Sequence, residues 1–186
     1  MRFNNHSDLA GKHAYLSASN YHWLRYTDEK FDHRYSTHLD ALRGTELHDF
    51  AQFAIKLKQR MPDTPATLNR YINDCIGYRM ATEVVVRYSD NAFGTADACK
   101  FRDKLLQIFD LKTGVTVAKF DQHKIYAAYF CLEYGVKPTE IEIEMRIYQS
   151  DDVRIEMADP MEITQIMDKV VMFDHRIELL KQEANG

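Results

Sequence analysis

The sequence predicts a mixed α/β fold, a single sheet flanked by helices, and three observations lead to it. Helical apolar spacing occupies the first part of the chain. Three short runs rich in strand-forming residues follow, separated by turn formers. A further helical segment then leads into a strand with strict apolar and polar alternation. A helix, a three-stranded antiparallel meander, a crossover helix and further strand, in that order, favour a sheet covered by helices.

The chain has the length and composition of one domain. Its 186 residues are 45% hydrophobic, enough to build a substantial core. Within a single domain over 1–186, we expect a helical N-terminal part at about 1–80, a sheet core at about 82–150 and a C-terminal strand and helix at about 152–182.

Two helices are predicted before the sheet. The first spans 37–61, opens with a T-x-x-D capping pattern at Thr37, and carries an apolar stripe of Leu47, Phe50, Ala54, Leu57 and Met61. Gly44 lowers the stability of this helix, which indicates the close approach of another group. His48 lies one turn later, at the edge of the stripe, and either belongs to the core or binds a ligand. The second helix spans 67–80.

Three strands are predicted at 82–88, 93–101 and 104–111. A hairpin turn at Arg102 and Asp103, or a four-residue turn with the same pairing, sets Asp97 opposite Ile108.

In this register Asp97 and Asp110 are diagonal neighbours on one face, roughly 7–8 Å apart at the backbone. Lys112 lies two residues beyond Asp110 and therefore shares its face. Two carboxylates at this spacing can hold one Mg²⁺, and an adjacent ammonium can stabilise charge on a phosphate. Asp97, Asp110 and Lys112 are thus candidate catalytic residues. The alternative is a half-exposed sheet on which both carboxylates lie in water.

After the meander, a helix is predicted at 117–133, with Ile125, Tyr129 and Leu132 toward the sheet. Gln122 and Tyr126 are four apart and share a face of it, and Lys119 is three residues before Gln122. The following strand at 141–148 buries its isoleucines and Met145 on one face, and 153–157 reads as an edge strand. Asp159-Pro160 favours the start of a last helix.

Composition excludes several classes of protein. A net charge of −4 and a pI near 6.1 argue against a globally basic nucleic-acid coat protein, although a groove can be basic locally. Three cysteines are too few for a four-thiolate iron–sulfur cluster and indicate free thiols in a reducing compartment. No apolar run reaches membrane-spanning length, so we expect no membrane association and a cytoplasmic location.

The N-terminal segment mixes aromatic and basic residues, among them Trp23, Arg25 and Tyr26. Such side chains stack unpaired bases and hold phosphates, so Trp23 and Arg25 are candidate DNA-binding residues. Packing of Trp23 in the core is the alternative.

Four short motifs occur in order along the chain: Gly44-x-x-x-His48, Gly94-x-x-Asp97, Asp110-x-Lys112-Thr113-Gly114 and Gln122-x-x-x-Tyr126. Together they resemble the motifs of the RecB-like branch of the PD-(D/E)XK nuclease superfamily, which has a restriction-endonuclease-like core. Many relatives also carry four iron–sulfur cysteines, which this chain lacks. The likeness is therefore to stand-alone, often phage-encoded exonucleases.

The resemblance implies a metal-dependent DNA nuclease, with metal ligands His48, Asp97, Asp110 and the main-chain carbonyl of Leu111. It implies Lys112 as the catalytic lysine, and Gln122 and Tyr126 as residues that support the site and contact DNA, with Lys119 beside them.

The cofactor is then Mg²⁺ or Mn²⁺, and a histidine ligand favours Mn²⁺. The partner is DNA, with a single-strand annealing protein as a further partner, and a homo-oligomer is compatible with it. The setting is the cytoplasm of a bacterial or phage-infected cell. An endonuclease with the same site, or a nuclease-fold protein that only binds DNA, remain alternatives.

Overall fold

The computed structural model of the protein describes residues 4–185. The chain divides into two compact units, Met1–Leu42 and Arg43–Gly186. The first unit contains 3₁₀ turns at Ser7–Leu9 and Ala18–Arg25 and the beginning of helix α1 (Asp28–Lys56). The second contains the rest of α1 and all of the sheet.

Helix α1 begins nine residues earlier than predicted. Thr27, not Thr37, lies at its start, where its hydroxyl accepts a hydrogen bond of 3.3 Å from the N–H of Lys30. Thr37 lies inside the helix and donates its hydroxyl to the carbonyl of His33 at 2.9 Å. A threonine hydroxyl can satisfy either kind of backbone group, so the T-x-x-D pattern alone did not locate the start.

The buried face of α1 also differs from the predicted stripe. Leu47, Phe50 and Leu57 are exposed, and the buried residues are Gly44, Ala51, Ala54 and Ile55. Gly44, Ala51 and Ile55 recur at helical spacing with the half-buried His48. Small side chains on this face let the helix approach the sheet closely, and they bring His48 toward it.

Five strands form one sheet in the order β1-β2-β3-β4-β5. Their bounds are Ala81–Ser89, Ala92–Arg102, Leu105–Lys112, Glu142–Gln149 and Asp152–Met157. The first three form an antiparallel meander, β4 pairs parallel with β3, and β5 is an antiparallel edge strand. The remaining helices are α2 (Thr67–Tyr78), α3 (Asp121–Tyr134) and α4 (Pro160–Asn185). The predicted fold class and order of elements are confirmed.

Helices cover both faces of the sheet. One core lies between the sheet and helices α3 and α4, with Ile108, Met145 and Ile163 fully buried. The other lies between the sheet and helices α1 and α2, with Phe109 and Tyr148 at its centre. Phe109 and Ile108 face opposite cores because side chains alternate along a strand.

The pairing of β2 with β3 is shifted by two residues from the predicted register. Ile108 pairs with Cys99, and Arg102 pairs with Leu105 across a two-residue turn. The turn residues, Asp103 and Lys104, have φ of 52° and 64°, as in a type I′ turn, whose twist suits a hairpin. The prediction that Asp97 faces Ile108 is therefore wrong, because the turn lies one residue later along the chain.

Helix α3 begins at Asp121, four residues later than predicted. Lys119 precedes it, so Lys119 and Gln122 do not share a helix face and that prediction is wrong. Ile125, expected toward the sheet, is 38% exposed, whereas His123 is fully buried. Within residues 4–185, no helix is both long and apolar enough to cross a bilayer.

Candidate active site

The candidate site lies where β2 separates from β3. The ladder between these strands ends at the pair Ala98–Phe109, and the next residues along each strand are Asp97 and Asp110. Regular alternation breaks at Asp97, because Ala96 belongs to one core and Ala98 to the other. The end of the ladder therefore brings the two carboxylates to the same place.

Asp97 bridges β3 and helix α1. Its Oδ2 accepts a hydrogen bond of 3.1 Å from the N–H of Leu111, supplying the acceptor that a continuing strand would provide. The same oxygen lies 3.3 Å from Nδ1 of His48. Burial raises the pKa of Asp97, and the charge of Asp110 raises it further.

Asp110 is a buried carboxylate with one close cation. Its Oδ2 lies 2.9 Å from Nζ of Lys112, but within residues 4–185 it receives no hydrogen bond of good geometry, and it is shielded from solvent. Burial raises the pKa of Asp110, although the lysine opposes this shift. Burial therefore destabilises the ionised form of Asp110 by more than the attraction of the Lys112 ammonium stabilises it.

Lys112 is positioned by two successive hydrogen bonds that involve side chains of helix α3. Its Nζ donates to Oε1 of Gln122 at 3.0 Å, and Nε2 of Gln122 donates to the hydroxyl of Tyr126 at 2.7 Å. A Cβ built on Gly94 would lie 2.8 Å from the ring of Tyr126, so only glycine leaves room for this ring. The motif that begins at Gly94 and the motif that ends at Tyr126 are therefore in direct contact.

Gly44 likewise leaves room for the side chain of Thr113. A Cβ on Gly44 would lie 2.8 Å from Oγ1 of Thr113, so α1 passes against the residue that follows β3. This contact explains the glycine one turn before His48. The four motifs thus form two pairs. In each pair, a side chain from the later motif packs closely against the glycine of the earlier motif.

Gln149, which sequence reasoning missed, fixes the loop that follows Lys112. Its Nε2 donates to the carbonyls of Gly114 at 2.6 Å and Thr116 at 2.7 Å. Its Oε1 accepts the N–H of Ala118 at 3.0 Å. A polar residue on the apolar face of an alternating strand, in phase with Met145 and Ile147, was the available signal, but only the parallel pairing of β4 with β3 puts it beside this loop.

His123 was also missed. It follows Gln122 on α3 and is fully buried, with Nε2 3.3 Å from the carbonyl of Arg146. Because a carbonyl only accepts, Nε2 carries the proton, and Nδ1 is buried without a hydrogen-bond partner in the described part of the chain. Burial lowers the pKa of His123 to about 4, so its ring is neutral at pH 7.

The residues fit a divalent cation in their chemistry. Asp110 offers a buried oxygen that pairs with Lys112 without a hydrogen bond of good geometry. Burial raises the pKa values of Asp97 and Asp110, and a bound cation would balance the negative charge of the two carboxylates. Among residues 4–185, no three His, Cys, Asp or Glu side chains are already gathered as a ligand set. In this arrangement the donors are engaged elsewhere, His48 with Asp97 and Asp110 with Lys112.

The other predicted DNA-binding residues are Lys119, Trp23 and Arg25. Lys119 is exposed in the loop before α3. Trp23 and Arg25 belong to the first unit, where the indole is half-buried and Arg25 is exposed. The structure therefore brings together His48, Asp97, Asp110, Leu111, Lys112, Gln122 and Tyr126.

Comparison with known proteins adds little. No protein-family model matches the chain, and no curated protein matches it. A solved structure described as "Crystal structure of SSO0001" is similar to it with a TM-score of 0.34 and 14% sequence identity. The alignment covers 57% of this chain and 56% of that chain, so it spans just over half of either. A likeness of this degree shows neither a shared fold nor a shared function.

Proposed function

We propose that this chain is a metal-dependent DNA nuclease that hydrolyses phosphodiester bonds, with an exonuclease acting on DNA ends as the favoured form. The proposal combines the resemblance of the four motifs to RecB-like PD-(D/E)XK nucleases with the way their side chains meet.

One observation carries the proposal: motifs up to 69 residues apart in the chain pack directly against each other at two glycines. The side chain of Thr113 packs against Gly44, and the ring of Tyr126 packs against Gly94. A sheet that held Asp97 and Asp110 only as solvated surface groups would not need a buried Asp110, or two glycines at which a Cβ would lie 2.8 Å from a neighbouring side chain. The arrangement supports a site whose acidic and basic groups are positioned for chemistry.

The protein's own groups would have distinct roles. Lys112 supplies a positive charge held in place by Asp110 and Gln122, suited to stabilising negative charge that develops on a phosphate. Tyr126 positions Gln122, and Gln122 positions Lys112.

His48, Asp97, Asp110 and the carbonyl of Leu111 would hold Mg²⁺ or Mn²⁺. When bound, such an ion polarises a phosphate and neutralises its charge. Asp97 would also keep its link to β3, since its Oδ2 accepts the N–H of Leu111 and only one of its oxygens is needed for this bond.

The test is a cleavage assay with one plasmid in circular and linear form and with single-stranded and double-stranded oligonucleotides. Each is incubated with Mg²⁺, Mn²⁺ or a chelator. We expect cleavage only with metal, and loss of linear DNA from its ends with circular DNA intact. Cleavage of circular DNA would indicate the endonuclease alternative.

Lys112→Ala is the informative variant, and Lys169→Ala, an exposed lysine on α4, is its matched control. Loss of Lys112 should lower the rate by about 10²-fold or more. Binding of DNA without cleavage under every metal condition would support the alternative of a DNA-binding protein and refute the nuclease proposal.

A further inference from the structure

The first unit contains a small cleft that the proposed active site does not use. Its volume is about 300 Å³, at the lower end of the range of ligand sites. One wall is a face of α1, and the other comes from the segment before it. The lining residues are Tyr15, Asn20, Trp23, Tyr26, Arg34, Thr37, His38 and Ala41.

The aromatic part of the cleft is preset by contacts within the unit. Nε1 of Trp23 donates to the carbonyl of Ser17 at 3.2 Å, which uses the only donor of the indole and leaves its apolar surface. The ring of Tyr15 lies 5.0 Å from those of both Tyr35 and His38. Rings held in this way lose little conformational freedom when a flat molecule packs against them.

The polar part of the cleft is cationic. Arg34 is exposed and makes no ion pair with any of the residues 4–185. Nζ of Lys30 lies 4.7 Å from the ring centre of Tyr26, which places a second cation at one wall. Asn20 is exposed and offers an amide that can pair with the edge of a base.

We infer that this cleft binds one unpaired nucleotide of a DNA strand, with its base against the aromatic walls and its phosphate near Arg34. An aromatic surface with an arginine matches a flat base joined to an anion. The cleft is too small for a duplex, and a paired base has both faces covered by its neighbours, so only an unstacked base can enter. This inference deepens the proposed function, on which it rests for the choice of DNA as ligand.

Trp23 makes the cleft directly observable, because it is the only tryptophan of the chain. The wild-type protein is titrated with a twelve-residue oligothymidine in chelator, which prevents metal-dependent cleavage, and Trp23 emission is followed. A blunt hairpin duplex serves as the second probe. We expect saturable quenching by the oligothymidine and none by the hairpin at the same concentrations.

Arg34→Gln is compared with Arg176→Gln, an exposed arginine on α4 that is not among the residues lining the cleft. Arg34→Gln should weaken oligothymidine binding about tenfold. It should also flatten the slope of log affinity against log salt by about 0.7, the share of one phosphate on a single strand. Tyr26→Leu should weaken binding without changing the slope, and circular dichroism confirms that each variant is folded.

Three results would overturn the inference. The first is binding of the oligothymidine, measured by anisotropy, that leaves Trp23 emission unchanged, and the second is equal binding by Arg34→Gln and Arg176→Gln. The third is the absence of any oligothymidine binding. The cleavage assay separates it from the proposed function: quenching without cleavage retains the cleft and refutes the nuclease, and cleavage without quenching does the reverse.

Discussion

Asp110 and Lys112 form a pair whose members should affect stability in opposite directions. Burial raises the pKa of Asp110 despite the nearby ammonium, so the fold disfavours the ionised carboxylate at pH 7. We predict that Asp110→Asn raises the free energy of unfolding of the metal-free protein. Lys112→Met should lower it by roughly 1–3 kcal/mol, because it leaves the buried carboxylate without its partner. Urea denaturation in chelator measures both.

The double variant is the control for this pair. If the destabilisation by Lys112→Met comes from the unpaired charge of Asp110, it should largely vanish when Asp110→Asn is also present. Equal effects of Lys112→Met in both backgrounds would show that the two groups do not interact.

His123 should make the fold sensitive to acid. Its pKa is lowered from 6.5 to about 4, so between these values the unfolded chain binds a proton that the folded protein does not. Stability is therefore lost as the pH falls from about 6.5 to about 4, by roughly 3 kcal/mol in total. We predict that His123→Gln loses less stability over this interval. His175→Gln, on an exposed part of α4, should behave as the wild type in urea denaturation at each pH.

For individual residues, the sequence motifs identified which side chains form the candidate site, but not the contacts that bring them together. The spacing Gly44 to His48 and Gly94 to Asp97 could be read from the chain. The partners of the two glycines, Thr113 and Tyr126, could not, because a contact across 69 or 32 residues leaves no local pattern. Gln149 has no motif at all.

Among whole elements, β2 and α3 are coupled through the close contact of Gly94 and Tyr126. We predict that Gly94→Ala costs roughly 1–3 kcal/mol and lowers cleavage, because the added methyl group displaces the ring that positions Gln122. Gly77→Ala on α2 is the matched control. Among the described residues, a Cβ there meets Nη2 of Arg60 at 4.0 Å and nothing nearer, so alanine should be neutral or stabilise the helix by up to about 1 kcal/mol. Thermal denaturation and the cleavage assay compare them.

The loop between β3 and α3 depends on the edge of β4. We predict that Gln149→Leu removes the partners of two carbonyls and one N–H and costs roughly 1–3 kcal/mol. Hydrogen exchange at Ala118 should become faster. Gln107→Leu, at another buried amide whose partner is Glu144, should leave exchange in this loop unchanged. Equal protection of Ala118 in both variants would contradict the role of Gln149.

Periodicity predicted the elements well and their ends less well. The alternation in β4 indicated its buried face, and Ile143, Met145 and Ile147 are buried as expected. The register of β2 with β3 was wrong by two residues, since the turn uses Lys104 at a positive φ that lysine seldom adopts. The buried face of α1 was wrong because the helix meets the sheet through small residues, while Leu47, Phe50 and Leu57 stay exposed.

For the whole molecule, the proposed metal site joins α1 to β2 and β3, so binding there should stabilise the entire second unit. An ion that binds only the folded state adds RT ln(1 + [L]/Kd), about 2.7 kcal/mol at a hundred times Kd. We predict that Mn²⁺ raises the denaturation midpoint of the wild type and not that of Asp110→Asn. His48→Ala should reduce the response to Mn²⁺ more than the response to Mg²⁺. An equal response of Asp110→Asn and wild type would place the ion elsewhere.

The two-residue turn at Asp103 and Lys104 lies at the opposite end of its hairpin from the carboxylates. Arg102 is five positions after Asp97, which corresponds to about 17 Å of strand. Because the pairing from Ala98 to Arg102 is fixed by the ladder, added residues at the turn would lengthen only the loop. An affinity tag or a fluorescent label inserted between Asp103 and Lys104 would therefore leave the separation of Asp97 and Asp110 unchanged, whereas a deletion within 98–102 would not.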